Sequence, residues 1–439
     1  MQFPEGFLFG VATAAYQTEG AVDEDGRAPS IWDTFSHTPG KVYNNDTGDI
    51  ACDHYHRLDE DLDLLTHLGV KAYRFSIAWP RVLPTGRGAI NQRGLDFYRR
   101  VLDGLRHRGI STMATLYHWD LPQALEDAGG WRNRETAERF GEYVAVVAEA
   151  LGDGVDYWVT LNEPWCSAFV GHLEGRHAPG VADLGAALTA GHHLLLGHGC
   201  AVEALRASTA TGKVGITLNL SDVHAADASA EAAAARIDGN ENRWFLDPLF
   251  RKEYPADMLA WYGERTDVSA LRGDDMAVIA APLDFLGVNY YERHVVVADP
   301  TDAIHGARKL PPEGPVTGSG IPIRPDGLAR IVERVSADYT GLPLYVTENG
   351  AAFFDYSTPE GLISDYDRRD YLAGHFAAVR ECIARGVDVR GYFVWSFLDN
   401  FEWAEGYRLR FGIVHVDYPT QRRTVKASGE WYRDLIARQ

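Results

Sequence analysis

Two glutamates stand where a hydrophobic run gives way to a turn. In PLYVTENG (343–350), Leu344, Tyr345, Val346 and Thr347 are the apolar, β-branched and aromatic types that suit a buried strand, and Glu348 follows at once, before Asn349 and Gly350 turn the chain away. In YWVTLNEP (157–164) the same kind of run ends in Asn162 and Glu163. Two carboxylates converging on one point are what cleavage of a glycosidic bond needs: one gives a proton to the leaving oxygen, the other meets the positive charge growing at the anomeric carbon. The neighbours separate the roles. Glu163 lies between Asn162 and Pro164 with Trp165 close by, an apolar lip that favours the protonated acid. Glu348 would have Arg74 and Tyr291 within reach, a cation and a phenol that favour the ionised nucleophile. The structural alternative, two buried glutamates in ion pairs, does not require both to sit at the ends of strands.

Such a pair must be positioned by regular elements. Short apolar or β-branched runs occur at 7–13, 72–76, 111–117, 157–162, 214–220, 285–290, 344–349 and 391–397, with amphipathic helical patterns between most of them. LDFYRRVLDGLRHRG (95–109) and RDYLAGHFAAVRECIARG (369–386) are two of these helices, each closing on a glycine. Eight β-then-α units predict one closed (β/α)8 barrel spanning 1–439, with its active site at the C-terminal ends of the strands. A doubly wound sheet would want a glycine-rich phosphate turn after the first strand, and GVATAAYQTEG offers none. The Gly-, Pro- and Asp-rich connections 21–57 and 292–328 read as barrel loops, and ASAEAAAAR (228–236) as a short helix.

In that frame the strand ends carry an unusual load of polar and aromatic residues. The first run leads to Gln17, the second carries Arg74, the third ends at His118 and Trp119, and the fourth at Asn162 and Glu163. The sixth leads to Asn289 and Tyr291, the seventh ends at Glu348, and the eighth leads into Trp395, Glu402 and Trp403. A pyranose shows an apolar face and a hydroxyl rim, so indole platforms mixed with amide, imidazole and carboxylate groups read as a sugar cage.

Bulk properties narrow the class. A 439-residue chain that is 46% hydrophobic has ample core, and a net charge of -20 argues against nucleic acid or an anionic membrane as partner. No leader-like segment precedes Phe7 and no run is long enough to span a bilayer, so a cytoplasmic location is the default expectation. Cys52, Cys166, Cys200 and Cys382 show no CxxC spacing and read as reduced thiols. CDHYH (52–56), and His192 and His193 with His198 and Cys200, look metal-like at first glance, but they sit at or inside Leu-rich helical patterns; neither a metal nor a cofactor is expected. Monomer and dimer are both left open.

The motifs together resemble those of the retaining β-glucosidases of glycoside hydrolase family 1. The resemblance runs in order through FLFGVATAAYQTEGA, RFSIAWPR, YHWDLP, TLNEP, WFLDPLF, YVTENG and VWSFLDNFEW, covering essentially the whole chain. It implies Glu163 as acid/base and Glu348 as nucleophile, with Arg74, Asn289 and Tyr291 supporting the nucleophile region. It further implies Gln17, His118, Trp119, Asn162, Trp395, Glu402, Trp403 and Phe411 around the nonreducing sugar. The implied activity is double-displacement hydrolysis of terminal β-D-glucosyl residues from cello-oligosaccharides or from aryl and alkyl β-glucosides, a step in cellulose degradation and carbohydrate metabolism. Side activity on β-galactosides and β-fucosides and transglycosylation are further expectations. TLNEP keeps the acid that relatives resembling plant myrosinases replace by Gln, and an intact NFEW disfavours the 6-phosphosugar alternative, since Glu402 would repel a phosphate. A catalytically silent sugar-binding protein is the rival from another class, disfavoured because a binder needs neither carboxylate. One departure concerns the leaving-group side: where many relatives read GWEIYPEGL, this chain reads GIPIRPDGL, with Ile321 at the Trp position. Trp165 and the loop around Phe169 and His172 are expected to carry more of that contact.

Overall fold

The computed structural model of the protein describes residues 2–359 and 361–439. Eight strands, β1 (Leu8–Ala12), β2 (Ala72–Ser76), β3 (Ser111–Thr115), β4 (Tyr157–Asn162), β5 (Lys213–Asn219), β6 (Phe285–Asn289), β7 (Leu344–Asn349) and β8 (Val389–Trp395), close into a barrel in sequence order. Every neighbouring pair is parallel, and β1 completes the ring by pairing with both β2 and β8. The expected runs thus form the expected (β/α)8 barrel. Its strands are buried on both faces, which is why they appear as nearly continuous apolar runs rather than alternating ones.

Helices begin or end slightly off the sequence reading, for local reasons. The helix expected at 95–109 spans Gln92–His107; its first turn is largely polar and so invisible to a hydrophobic pattern that starts at Leu95. The helix expected at 369–386 spans Tyr366–Ala384. Both are followed within two residues by a glycine in the left-handed conformation, Gly109 (φ +65°) and Gly386 (φ +95°). The Ala-rich segment is helical over Glu231–Asp238, as expected.

Connection 292–328, expected as loop, contains two strands. Arg293–Ala298 pairs in parallel with Asp222–Ala225 and antiparallel with Ala307–Lys309, forming a small sheet beside the barrel. The β-branched stretch HVVV favours this pairing, and Val296 and Ala307 pack against Ala233, Ala234 and Ile237 of the Ala-rich helix. Connection 21–57 carries the helix Ile31–Ser36, started by a capping box in which Ser30 and Asp33 bond each other's backbone N–H groups.

The two strands that end in glutamates are irregular at those ends. The β4 ladder to β5 shifts register between Val159 and Asn162, and β7 shifts against β6 between Val346 and Glu348 and against β8 between Val346 and Asn349. Shifts of this kind locally re-aim side chains, and here they fall at the barrel mouth. Gly350 closes the TENG turn because nothing larger fits: a Cβ there would lie 1.6 Å from the carbonyl oxygen of Trp395. Among the described residues no helix is long and apolar enough to cross a membrane.

Candidate active site

Glu348 at the end of β7 receives a hydrogen bond on each oxygen. Arg74 Nη1 donates to Oε1 at 2.5 Å and the Tyr291 hydroxyl donates to Oε2 at 2.8 Å. Arg74 is itself fully buried and held at every nitrogen: Nη2 donates to Asn162 Oδ1 (2.6 Å), Nε to Thr115 Oγ1 (3.2 Å), and Nη1 also to the Thr347 carbonyl (3.2 Å). A rigid guanidinium fork suits this work, because one planar group fixes three strands around one carboxylate.

Glu163, one residue past β4, is joined to the same network. Asn289 Nδ2 donates to Glu163 Oε1 at 2.7 Å and to Asn162 Oδ1 at 3.1 Å, while Asn289 Oδ1 accepts from Thr347 Oγ1 at 2.8 Å. The Cys166 thiol donates to Glu163 Oε2 at 3.2 Å. Glu163 has a left-handed backbone (φ +47°), as do Trp119 (φ +78°) and Trp403 (φ +51°). Three such non-glycine residues around one cavity are held there by their surroundings; the Glu163 N–H is bound to the Thr217 carbonyl at 2.9 Å and Trp119 Nε1 to the Asn162 carbonyl at 2.9 Å.

The environments separate the two carboxyl groups. Burial, then the charge of Glu348, pushes Glu163 up to about 8, against the opposing pull of Asn289, Cys166 and Arg74. Burial also raises Glu348, but Arg74 and then Tyr291 work against that rise. The sequence reading weighed only those stabilising neighbours, so the upward direction at Glu348 is a difference, produced by the depth of the site. A single proton shared by the pair resides on Glu163, because only Glu348 has a guanidinium in direct contact. The arrangement therefore offers one carboxylic acid and one carboxylate at the same mouth.

Both glutamates open into a cavity of about 360 Å³. On one side its wall is made by His118, Trp119, Trp395, Glu402, Trp403 and Phe411. Gln17 and Asn162 stand behind this wall. Gln17 Nε2 bonds the Phe401 carbonyl (2.9 Å), Asn400 Oδ1 (3.1 Å) and Glu402 Oε2 (3.4 Å), while its own Oε1 is buried without a partner. Asn162 Nδ2 donates to His118 Nε2 at 3.0 Å, which places the His118 proton on Nδ1, also unpartnered. Burial, then Arg74, holds His118 well below its usual range, so the ring is neutral. Trp403 lies parallel to Tyr16 at 6.3 Å and packs on Trp119 at 4.7 Å. Burial, then Glu348, raises Glu402 to about 8.

The opposite wall departs from expectation. Trp165 and Ile321 line it, but Phe169 and His172 do not. The stretch read as a loop is helical from Pro164, with a wide turn over Cys166–Val170, so Cys166 and Val170 face the cavity while Phe169 stacks beneath Trp165 at 6.1 Å. His172 is buried farther along, bonded through Nδ1 to the Ser167 carbonyl at 2.8 Å. Sequence reasoning missed Cys166, Asn219, Glu241, His294 and Lys309, all in the lining. Asn219 ends β5, so the strand-end rule that found the others applied to it as well; His294 and Lys309 belong to the unanticipated sheet.

The histidines of the metal-like stretches are engaged elsewhere. His54 contacts Asp61 (2.7 Å), His192 contacts Asp275 (3.0 Å), His193 the Trp131 carbonyl (2.9 Å) and His198 Thr160 (2.6 Å). Among the described residues no group of three or more His, Cys, Asp or Glu is placed to hold a metal ion.

The family described as Glycosyl hydrolase family 1 matches residues 1–439. The chain belongs to this family. This family 1 hydrolase is 49% identical over 438 residues to β-glucosidase A of Thermotoga maritima, covering 99% of the chain and 98% of the relative. It is 47% identical over 458 residues to a bifunctional β-D-glucosidase/β-D-fucosidase of Bifidobacterium breve, covering 100% and 98%. The solved structure of the Thermotoga maritima β-glucosidase in complex with noeuromycin superposes on the family 1 barrel with a TM-score of 0.96 at 48% identity, covering 99% of this chain and 98% of that one.

Proposed function

We propose that the protein is a retaining β-glucosidase. The observation that carries this reading is the pair of buried carboxyl groups joined through Arg74, Asn162 and Asn289, in which Glu348 has the guanidinium of Arg74 in direct contact and Glu163 has none, so that the shared proton goes to Glu163. Glu348 attacks the anomeric carbon as Glu163 protonates the leaving oxygen; Glu163, now a base, then activates water to release the sugar from Glu348. Two inversions at one carbon retain configuration. His118, Trp119, Trp395, Glu402 and Trp403, with Gln17 and Asn162 behind, hold the nonreducing sugar by stacking and hydroxyl contacts.

An unphosphorylated sugar fits best. The side chains of that wall, His118, Trp119, Trp395, Glu402, Trp403 and Phe411, include no lysine or arginine to neutralise a phosphate. Glucose is the principal sugar, with β-fucosides as side substrates, a breadth supported by the name of the Bifidobacterium breve relative. Transfer to alcohols competes with hydrolysis at the same intermediate.

The test is time-resolved proton NMR of the sugar released from 4-nitrophenyl β-glucoside before mutarotation mixes the anomers. β-Glucose appearing first is the expected result; α-glucose first overturns the nucleophile assignment, and no release overturns the substrate. A second check concerns Arg74. Arg74→Lys keeps the charge but not the fork, leaving Asn162 Oδ1 or Glu348 underbonded, and kcat on the same substrate is expected to fall roughly 10- to 100-fold, the equivalent of losing one charged hydrogen bond.

A further inference from the structure

The leaving-group side of the cavity holds a charged cluster that the cleavage chemistry does not use. Glu241, in the turn Gly239–Arg243, is only 4% exposed yet lines the cavity. Lys309 Nζ forms an ion pair with Glu241 Oε1 at 2.6 Å and lies 3.0 Å from His294 Nε2. His294 Nε2 is 3.2 Å from Glu241 Oε2, but the alignment makes no hydrogen bond, and Oε2 is buried without a partner. Burial works against a charged Glu241; His294 and Lys309 outweigh it and hold the carboxyl well below the usual carboxylate range.

A buried carboxylate oxygen with nothing donating to it is costly, and one facing a cavity has an obvious use as an acceptor for a ligand. Lys309 complements it. Its ammonium has three N–H groups, and the Glu241 and His294 contacts occupy at most two. Donor and acceptor therefore stand side by side at the wall where position 321 supplies only an aliphatic chain. The wall does not end there. A second cavity of about 590 Å³ shares Glu292, His294, Lys309, Ser319 and Ile321 with the first.

We infer that Glu241 and Lys309, braced by His294, form a leaving-group site that selects a sugar over an apolar aglycone by bonding its hydroxyls, with the second cavity receiving further sugar units. The inference rests on the proposed β-glucosidase reading and names the substrate class within it. A sugar hydroxyl can donate to Glu241 Oε2 while a neighbouring oxygen accepts from Lys309. An aryl or alkyl group satisfies neither and covers an oxygen left without a hydrogen bond.

The test compares kcat/KM on cellobiose, octyl β-glucoside and 4-nitrophenyl β-glucoside for the unaltered enzyme, Glu241→Gln and Lys309→Met. Octyl β-glucoside has a leaving group about as poor as a sugar but without hydroxyls, so it separates hydroxyl recognition from any effect on the proton donor. Each variant is expected to lose roughly 10- to 100-fold on cellobiose, mainly through KM, and less than about twofold on the other two. Glu241→Gln preserves volume, and turnover of 4-nitrophenyl β-glucoside reports on its fold. Losses equal on all three substrates, losses shared by cellobiose and octyl β-glucoside, or no loss on cellobiose would each overturn the site. Failure of the unaltered enzyme on all three would instead overturn the β-glucosidase reading, and this site with it.

Discussion

Glu348→Gly is expected to lower kcat on 4-nitrophenyl β-glucoside by about 10⁵-fold, because no other group in the cavity is placed to form the bond to the anomeric carbon. The substitution leaves a space beside the fully buried Arg74, whose guanidinium loses its 2.5 Å ion pair but keeps Asn162, Thr347 and Thr115. Azide, small and anionic, suits that space and that charge. Its addition is expected to restore turnover and give the α-glucosyl azide, the product of a single inversion. The variant should also be less stable, since removing one partner of a buried pair costs on the order of 3 kcal/mol or more, softened here by the remaining acceptors around Arg74. A further consequence follows at Glu163. The charge of Glu348 is the second-largest cause of its raised pKa, so in the variant without azide the Glu163 carboxyl should titrate below about 8, followed by its carboxyl infrared band. Near-normal turnover without azide, or a β-configured product, would remove Glu348 from the nucleophile's place.

The parts of this protein that were legible in its sequence are those where one physical demand dominates. Barrel strands buried on both faces must be apolar, so the eight runs stood out, and a carboxylate at the end of such a run has no structural excuse; Glu163 and Glu348 were visible for that reason. Pairings between distant strand ends were legible only through that frame: once β2, β6 and β7 were placed, Arg74 and Tyr291 came within reach of Glu348, whereas Asn289 was set near the nucleophile by the family resemblance alone and donates to Glu163. The inserted sheet was hidden because Arg293–Ala298 and Ala307–Lys309 are short and lie in a Gly-, Pro- and Asp-rich stretch whose composition speaks for loop. Phe169 and His172 were misplaced because the chain turns helical directly after Glu163, and a shift of one position on a helix exchanges the cavity face for the core. Burial depth was the quantity least available from sequence. It is what raises Glu348 despite Arg74 and Tyr291, and at Glu402 it is the largest cause of a rise to which Glu348 adds.

Glu163→Ala is expected to separate substrates by leaving group. General acid assistance is worth about 10²- to 10⁴-fold, and it is needed where the departing oxygen is strongly basic. Cellobiose should therefore lose roughly 10³-fold or more in kcat/KM, whereas 4-nitrophenyl β-glucoside, whose phenolate departs unaided, should lose about tenfold or less in the glycosylation step and accumulate the glycosyl-enzyme, since the base for the second step is also gone. The pH profile gives the decisive sign. Glu163 is raised to about 8, so its acid form is present below that pH and the rate on poor leaving groups falls as pH rises through it. Glu402 is raised to about 8 as well, so an alkaline limb alone does not identify its owner. The variant does. If Glu163 is the acid, the limb in kcat/KM disappears from Glu163→Ala; if the limb persists unchanged in the variant, the titrating group is Glu402, which borders the sugar rather than the leaving oxygen, and the acid assignment fails.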